Sequence, residues 1–135
     1  MKRIVLAILF IVGSCHAAPA HDYSSVVSYL KAVTPNLINF IQNHTSYIYD
    51  GWEYPDILIE TEEEICRVIY EDKRTECDIA GYYNDIDNSI HIVDGPTDHM
   101  VEDRFFEVVL VHELVHFLQY HNGTYETIAC KQALE

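Results

Sequence analysis

The chain has 135 residues, room for one domain, and sets 22 acidic side chains against 8 basic ones for a formal net charge of −14. Such a balance disfavours nucleic acid as a partner, because phosphates demand Lys and Arg, while it favours solubility and the attraction of cationic ligands. No internal repeat or low-complexity window is visible, so the chain reads as one globular unit behind a short leader.

Residues 1–20 have the layout of a secretory signal peptide: the basic pair Lys2-Arg3, the apolar run Ile4 to Val12, then small residues as far as Ala20. The apolar run is too short to span a bilayer. Within the leader, Val12-Gly13-Ser14-Cys15 resembles the lipobox of bacterial lipoproteins, and on that reading Cys15 carries a lipid anchor, the one expected route to a membrane. Both readings place the protein outside the cytoplasm, secreted, periplasmic or lipid-anchored. Residues 21–135 then form a single domain, with a charge of about −16 once Lys2 and Arg3 are removed. Oligomeric state is not legible.

From Asp22 to Gln42, apolar residues recur at helical spacing (Val26, Leu30, Val33, Leu37, Ile41), which predicts one helix, or two if Pro35 breaks the run. Tyr47 to Pro55 is rich in turn formers, and Asp56 to Glu60 alternates as a short strand. Thr61-Glu62-Glu63-Glu64 has the form of a capping box opening a helix through about Tyr70. Ile79 to Tyr83 and Ser89 to Val93 are rich in strand formers on either side of the turn cluster Asn84 to Asn88, which predicts a hairpin.

Export permits disulfides. Of Cys66, Cys77 and Cys130, the first two would close a short loop, while either with Cys130 would tie the middle of the domain to its end, and all three pairings stay open. A zinc site built from cysteines is disfavoured because no Cys-x-x-Cys spacing occurs. Asn43-His44-Thr45 and Asn122-Gly123-Thr124 match the glycosylation acceptor pattern.

After Asp94-Gly95-Pro96 a helix is expected to begin between Thr97 and Asp103 and to run to about His121, where Asn122-Gly123 stops it. Phe105 to Leu118 is apolar on nearly every side, which predicts a buried helix. Into it are set His112, Glu113 and His116. Histidines four apart project from one helix face and can share one tetrahedral ion, while Glu113, one step round, can reach a water on the metal's open position and take its proton. Burying three such groups without partners would cost several kcal/mol in total, and a metal partners both imidazoles.

His112-Glu113-Leu114-Val115-His116 resembles the His-Glu-x-x-His motif of the zincin metallopeptidases, in which both histidines bind Zn2+ and the glutamate is the general base. The metzincin extension fails, because Gln119 and Asn122 stand where Gly and a third His are required. The gluzincin pattern takes a Glu from a following helix, and the separation of Glu135 from His116 is similar to that of the aminopeptidase branch, so the resemblance implies Glu135 as third ligand. Glu126 is the alternative, since Gly123-Thr124-Tyr125-Glu126 loosely resembles the Gly-Thr-x-Asp motif of aspzincins, and His121 comes third. Tyr125 to Glu135 reads as a last helix without a C-cap, which leaves open a chain that continues past Glu135.

The order helix, strand, helix, hairpin, motif helix, Glu-bearing helix resembles the minigluzincin core, so the expected fold is α+β: helices on a short sheet around a buried motif helix. In that family the hairpin strand beside the motif helix lines the cleft and pairs with an extended peptide. Tyr82, Tyr83, Tyr125 and His91 are candidates for stabilising the oxyanion. The expected function is a zinc-dependent hydrolase, a metallopeptidase with Glu113 as general base and a peptide or protein as substrate. The alternative is an exported acidic binding or structural protein with a structural or vestigial metal site.

Overall fold

The computed structural model describes residues 22–71, 76–95 and 104–124. The leader with Cys15, and Tyr125, Glu126, Cys130 and Glu135 at the other end, lie outside the described residues.

Helix α1 (Ser24–His44) is one helix that carries Pro35 in its interior. Leu30, Thr34, Ile38 and Ile41 are buried, so one stripe packs inward on both sides of the proline. Packing of that stripe overrides the local break that Pro35 would impose alone. Strand β1 (Asp56–Glu60) is followed by helix α2 (Glu62–Tyr70), whose N-terminus carries the capping box of Thr61 with Glu64 and three glutamates in its first turn.

Strand β2 (Gly81–Asn84) and strand β3 (Ser89–Val93) form the hairpin. The Asn84 side chain accepts from the Ile86 amide at 3.0 Å, and Asn88 closes the turn at φ 54°, a left-handed backbone that Asn tolerates well. The sheet order is β1-β3-β2, with β1 parallel and β2 antiparallel to the central β3. The first arm begins at Gly81, later than the expected Ile79, because Asp78 adopts φ 51°, outside the strand region.

Helix α3 (Phe105–His121) completes the order α1-β1-α2-β2-β3-α3. Its start corrects the expected window of Thr97 to Asp103: Arg104 is the N-cap, and its carbonyl accepts the Val108 amide. Among the described residues, three helices on a small mixed sheet make the fold α+β, as expected. The main core joins α1 (Leu30, Ile38, Ile41), the sheet (Ile57, Ile90, Ile92) and α3 (Leu110, Leu114, Phe117, Leu118). No described helix is long and apolar enough to cross a membrane.

On α2, Ile65 and Cys66 are fully buried, and Cys66 is joined to Cys77, which selects one of the three open pairings. The Cys77 amide also donates to Glu62 Oε1 at 2.9 Å, so the chain leading into β2 is fastened twice to α2. A cross-link over 11 residues restricts the unfolded chain by about 3 kcal/mol in the loop-entropy account. Replacing Cys66 and Cys77 together by Ser is therefore expected to lower unfolding stability by about 2–3 kcal/mol in urea titration; an unchanged midpoint would show that the tether contributes nothing.

Candidate active site

Helix α3 is central but not buried all round, which corrects the expectation of a wholly buried motif helix. Val109, Leu110, Glu113, Leu114, Phe117 and Leu118 face the core, whereas Val108 is 65% exposed, His112 is exposed and His116 half-buried. Positions 108, 112 and 116 share one stripe at four-residue spacing, and that stripe borders a cleft of about 300 Å³. The apolar side chains on this stripe have no covering element among the described residues, so periodicity alone could not reveal the opening.

The imidazoles meet across one helical turn with their Nε2 atoms 3.2 Å apart. His116 Nδ1 donates to Gln119 Oε1 at 2.7 Å, and Gln119 Nε2 donates to the Tyr47 hydroxyl at 3.2 Å. This relay places the ring proton on Nδ1 and leaves the Nε2 lone pair of His116 directed at His112. Burial holds His116 below the ordinary imidazole range, with the Gln119 hydrogen bond opposing and the neighbouring His112 adding to the depression. Two nitrogens on one tetrahedral zinc ion would stand about 3.3 Å apart. The pair as folded therefore fits a shared ion.

Glu113 is rotated about 100° from His112 by the helical step, which turns its side chain from the open stripe towards β2. It is 5% exposed and its carboxylate accepts the backbone amide of Tyr83. Burial pushes its pKa up to about 7, the Tyr83 amide opposing. β2 is an edge strand among the described residues, and the Val93 amide donates to the Ala80 carbonyl, so alternation along the ladder turns the Gly81 and Tyr83 amides away from β3, and the Tyr83 amide meets Glu113 on α3. A Cβ on Gly81 would lie 2.7 Å from both the His91 carbonyl oxygen and a Val109 methyl; only glycine allows this approach of strand to helix.

The loop after α1 positions Tyr47. Asn122, at the end of α3, accepts the Ile48 amide and donates to the Ile48 carbonyl at 3.2 and 3.0 Å. One of the two glycosylation acceptor patterns is thus engaged in tying the loop to the motif helix.

Of the candidate ligands, His112 and His116 are brought together. His121 is not with them: its ring stands against Tyr49 and Phe117, and its Nδ1 donates to the Phe117 carbonyl. Glu126 and Glu135 lie outside the described residues. Among the described residues, the three metal-ligating side chains that cluster are Glu62, Cys66 and Cys77, and two of these are joined as a disulfide.

Among the oxyanion candidates, Tyr82 and Tyr83 line the cleft. The Tyr83 hydroxyl donates to Asn88 Oδ1 at 3.2 Å, whereas burial pushes Tyr82 up to about 12, so its phenol keeps its proton. His91 is occupied elsewhere, with Nδ1 on Glu60 at 2.7 Å, Nε2 on Ser89 Oγ at 2.8 Å and its ring stacked on Tyr82. Ser89, His91 and Glu60 stand in the order of a nucleophilic-serine relay, but Ser89 is 3% exposed and its hydroxyl donates to Asp87. The group is a tie between β1, β3 and the hairpin turn. Gln119 and Tyr47 had no assigned role in the sequence reading; the spacing of Gln119, three residues past His116 on one face, was the available signal for the first.

Comparison of the chain with protein-family models, curated proteins and solved structures returned no match.

A buried carboxyl raised to about 7 against an unfolded value of 4.5 makes folding less favourable as pH climbs from about 4.5 through 7, because the unfolded chain releases that proton earlier. In chelator, the stability difference between wild type and Glu113→Gln is expected to shift against wild type by roughly 2–3 kcal/mol between pH 4.5 and 8. Parallel pH profiles in denaturant titration would contradict the assigned environment of Glu113.

Proposed function

We propose that the chain is a zinc-dependent hydrolase of the zincin type, with a minigluzincin-like core, that cleaves peptides outside the cytoplasm. The observation that carries this reading is the facing pair of imidazole Nε2 atoms, 3.2 Å apart at a cleft whose inner wall holds the buried carboxylate of Glu113. The order α1-β1-α2-β2-β3-α3 supports it, with edge strand β2 beside the motif helix. The leader-like residues 1–20 support the location.

In this reading His112 and His116 hold the ion, with Glu135 as the third protein ligand and Glu126 as the alternative. Bound zinc supplies acidification of water towards neutral pH and polarisation of a carbonyl. The remaining work falls to side chains and backbone of the chain. Glu113 takes the proton from the attacking water and delivers it to the leaving amine as the C–N bond breaks. The Tyr83 amide holds the Glu113 carboxylate in place for both transfers. The outward edge of Gly81 offers its amide and carbonyl to an extended peptide, since the Tyr83 amide is already engaged. Gln119 and Tyr47 fix the His116 ring.

The test is Glu113→Gln in the full chain. Zinc content is expected to stay at one ion per chain while hydrolysis of a quenched fluorescent peptide library falls by at least about a hundredfold. Hydrolysis that survives the substitution would remove Glu113 from the reaction, and wild type that neither holds zinc nor cleaves any peptide would remove the hydrolase.

A further inference from the structure

Among the described residues, one charged residue besides the two histidines and Glu113 lines the cleft: Asp78. Ala80, Val108 and Val109 add apolar surface to the lining, with the ring of Tyr82. Among the described residues no Lys or Arg lines the cleft, and no ion pair engages the exposed Asp78 carboxylate. A cleft of about 300 Å³ with apolar lining and a carboxylate suits the chemistry of a lysine or arginine side chain, whose methylene stem packs on apolar surface while its head seeks an anion.

The backbone fixes where this charge stands. Cys77, immediately before it, is joined to Cys66, and the Cys77 amide is held by Glu62. Ile79, immediately after it, is buried. Asp78 itself sits at φ 51°, a left-handed conformation that Asp and Asn adopt more readily than other side chains. A carboxylate on a twice-anchored backbone loses little freedom when it takes a partner. The net charge of −14 adds a long-range attraction for cationic chains.

We infer that Asp78 is the specificity-determining residue of the cleft and that the substrate is a basic peptide, which places a lysine or arginine side chain between β2 and α3. This rests on the hydrolase reading for its consequence, cleavage, but not for its recognition step. The backbone of the substrate follows the Gly81 edge, its basic side chain runs along Ala80, Tyr82 and Val108, and the cationic head pairs with Asp78.

The experiment uses two fluorescent alanine-based octapeptides that differ at one central residue, lysine or the uncharged, similarly long norleucine. Binding is measured by anisotropy to zinc-loaded Glu113→Gln, with and without Asp78→Asn, a substitution compatible with the left-handed backbone; unchanged circular dichroism checks the fold. The lysine peptide is expected to bind at least about threefold more tightly, with the preference shrinking in high salt and vanishing in Asp78→Asn. Equal binding, absence of binding to either peptide, or a lysine preference that survives Asp78→Asn overturns the inference. In wild type the ratio of kcat/KM for the two peptides follows the same preference. A lysine preference in binding with neither peptide cleaved strikes the hydrolase reading and leaves recognition by Asp78 standing.

Discussion

The contact between the buried Glu113 carboxylate and the Tyr83 backbone amide fixes the geometry on which the rest of the site depends. It joins the middle of α3 to the outer edge of β2, and it satisfies two groups that would each be costly to leave buried and unpaired. The approach is possible because Gly81 has no Cβ to collide with Val109 and the His91 carbonyl. Among the described residues no buried side-chain polar atom lacks a partner. The carboxylate is thus part of the packing as well as of the proposed chemistry, and its position follows from the same interface that seats Val109, Leu110 and Leu114.

Once α3 is fixed in rotation by that contact, the one-residue helical step of about 100° puts His112 on the open side of the same cleft, and the four-residue step puts His116 beside it. The ring of His116 is then oriented by Gln119, and Gln119 by Tyr47, which the loop after α1 presents because Asn122 clasps the Ile48 backbone. A motif of five residues consequently draws on three separate parts of the chain. The polar network on the other face of the sheet, from Glu60 through His91 and Ser89 to Asp87, performs a different task, holding β1 to β3 and the hairpin turn where no helix covers them fully.

Much of the element order was legible because each piece carries its own local signal: the Thr61 capping box, the Asn-rich turn between the hairpin arms, the alternation of Asp56 to Glu60. What escaped was set by tertiary context. Pro35 did not divide α1, since burial of Leu30 and Ile41 on either side outweighs one lost hydrogen bond. The nearly uniform apolarity of α3 suggested burial on all sides, yet Val108 borders an open cleft, and nothing in local composition distinguishes a side chain covered by core from one that lines a binding surface. The pairing of Cys66 with Cys77 was one of three candidates until the fold brought them together. His121, close to the motif in sequence, is carried away from it by the helical repeat.

The central claim is that the His112–His116 pair holds a zinc ion through nitrogen while the cysteines take no part. Zinc K-edge X-ray absorption on the zinc-loaded full chain tests it directly. The account predicts two nitrogen scatterers at about 2.0 Å with imidazole outer-shell features, and oxygen in the remaining positions. A first shell containing thiolate sulfur at about 2.3 Å, or one without imidazole scattering, would contradict it.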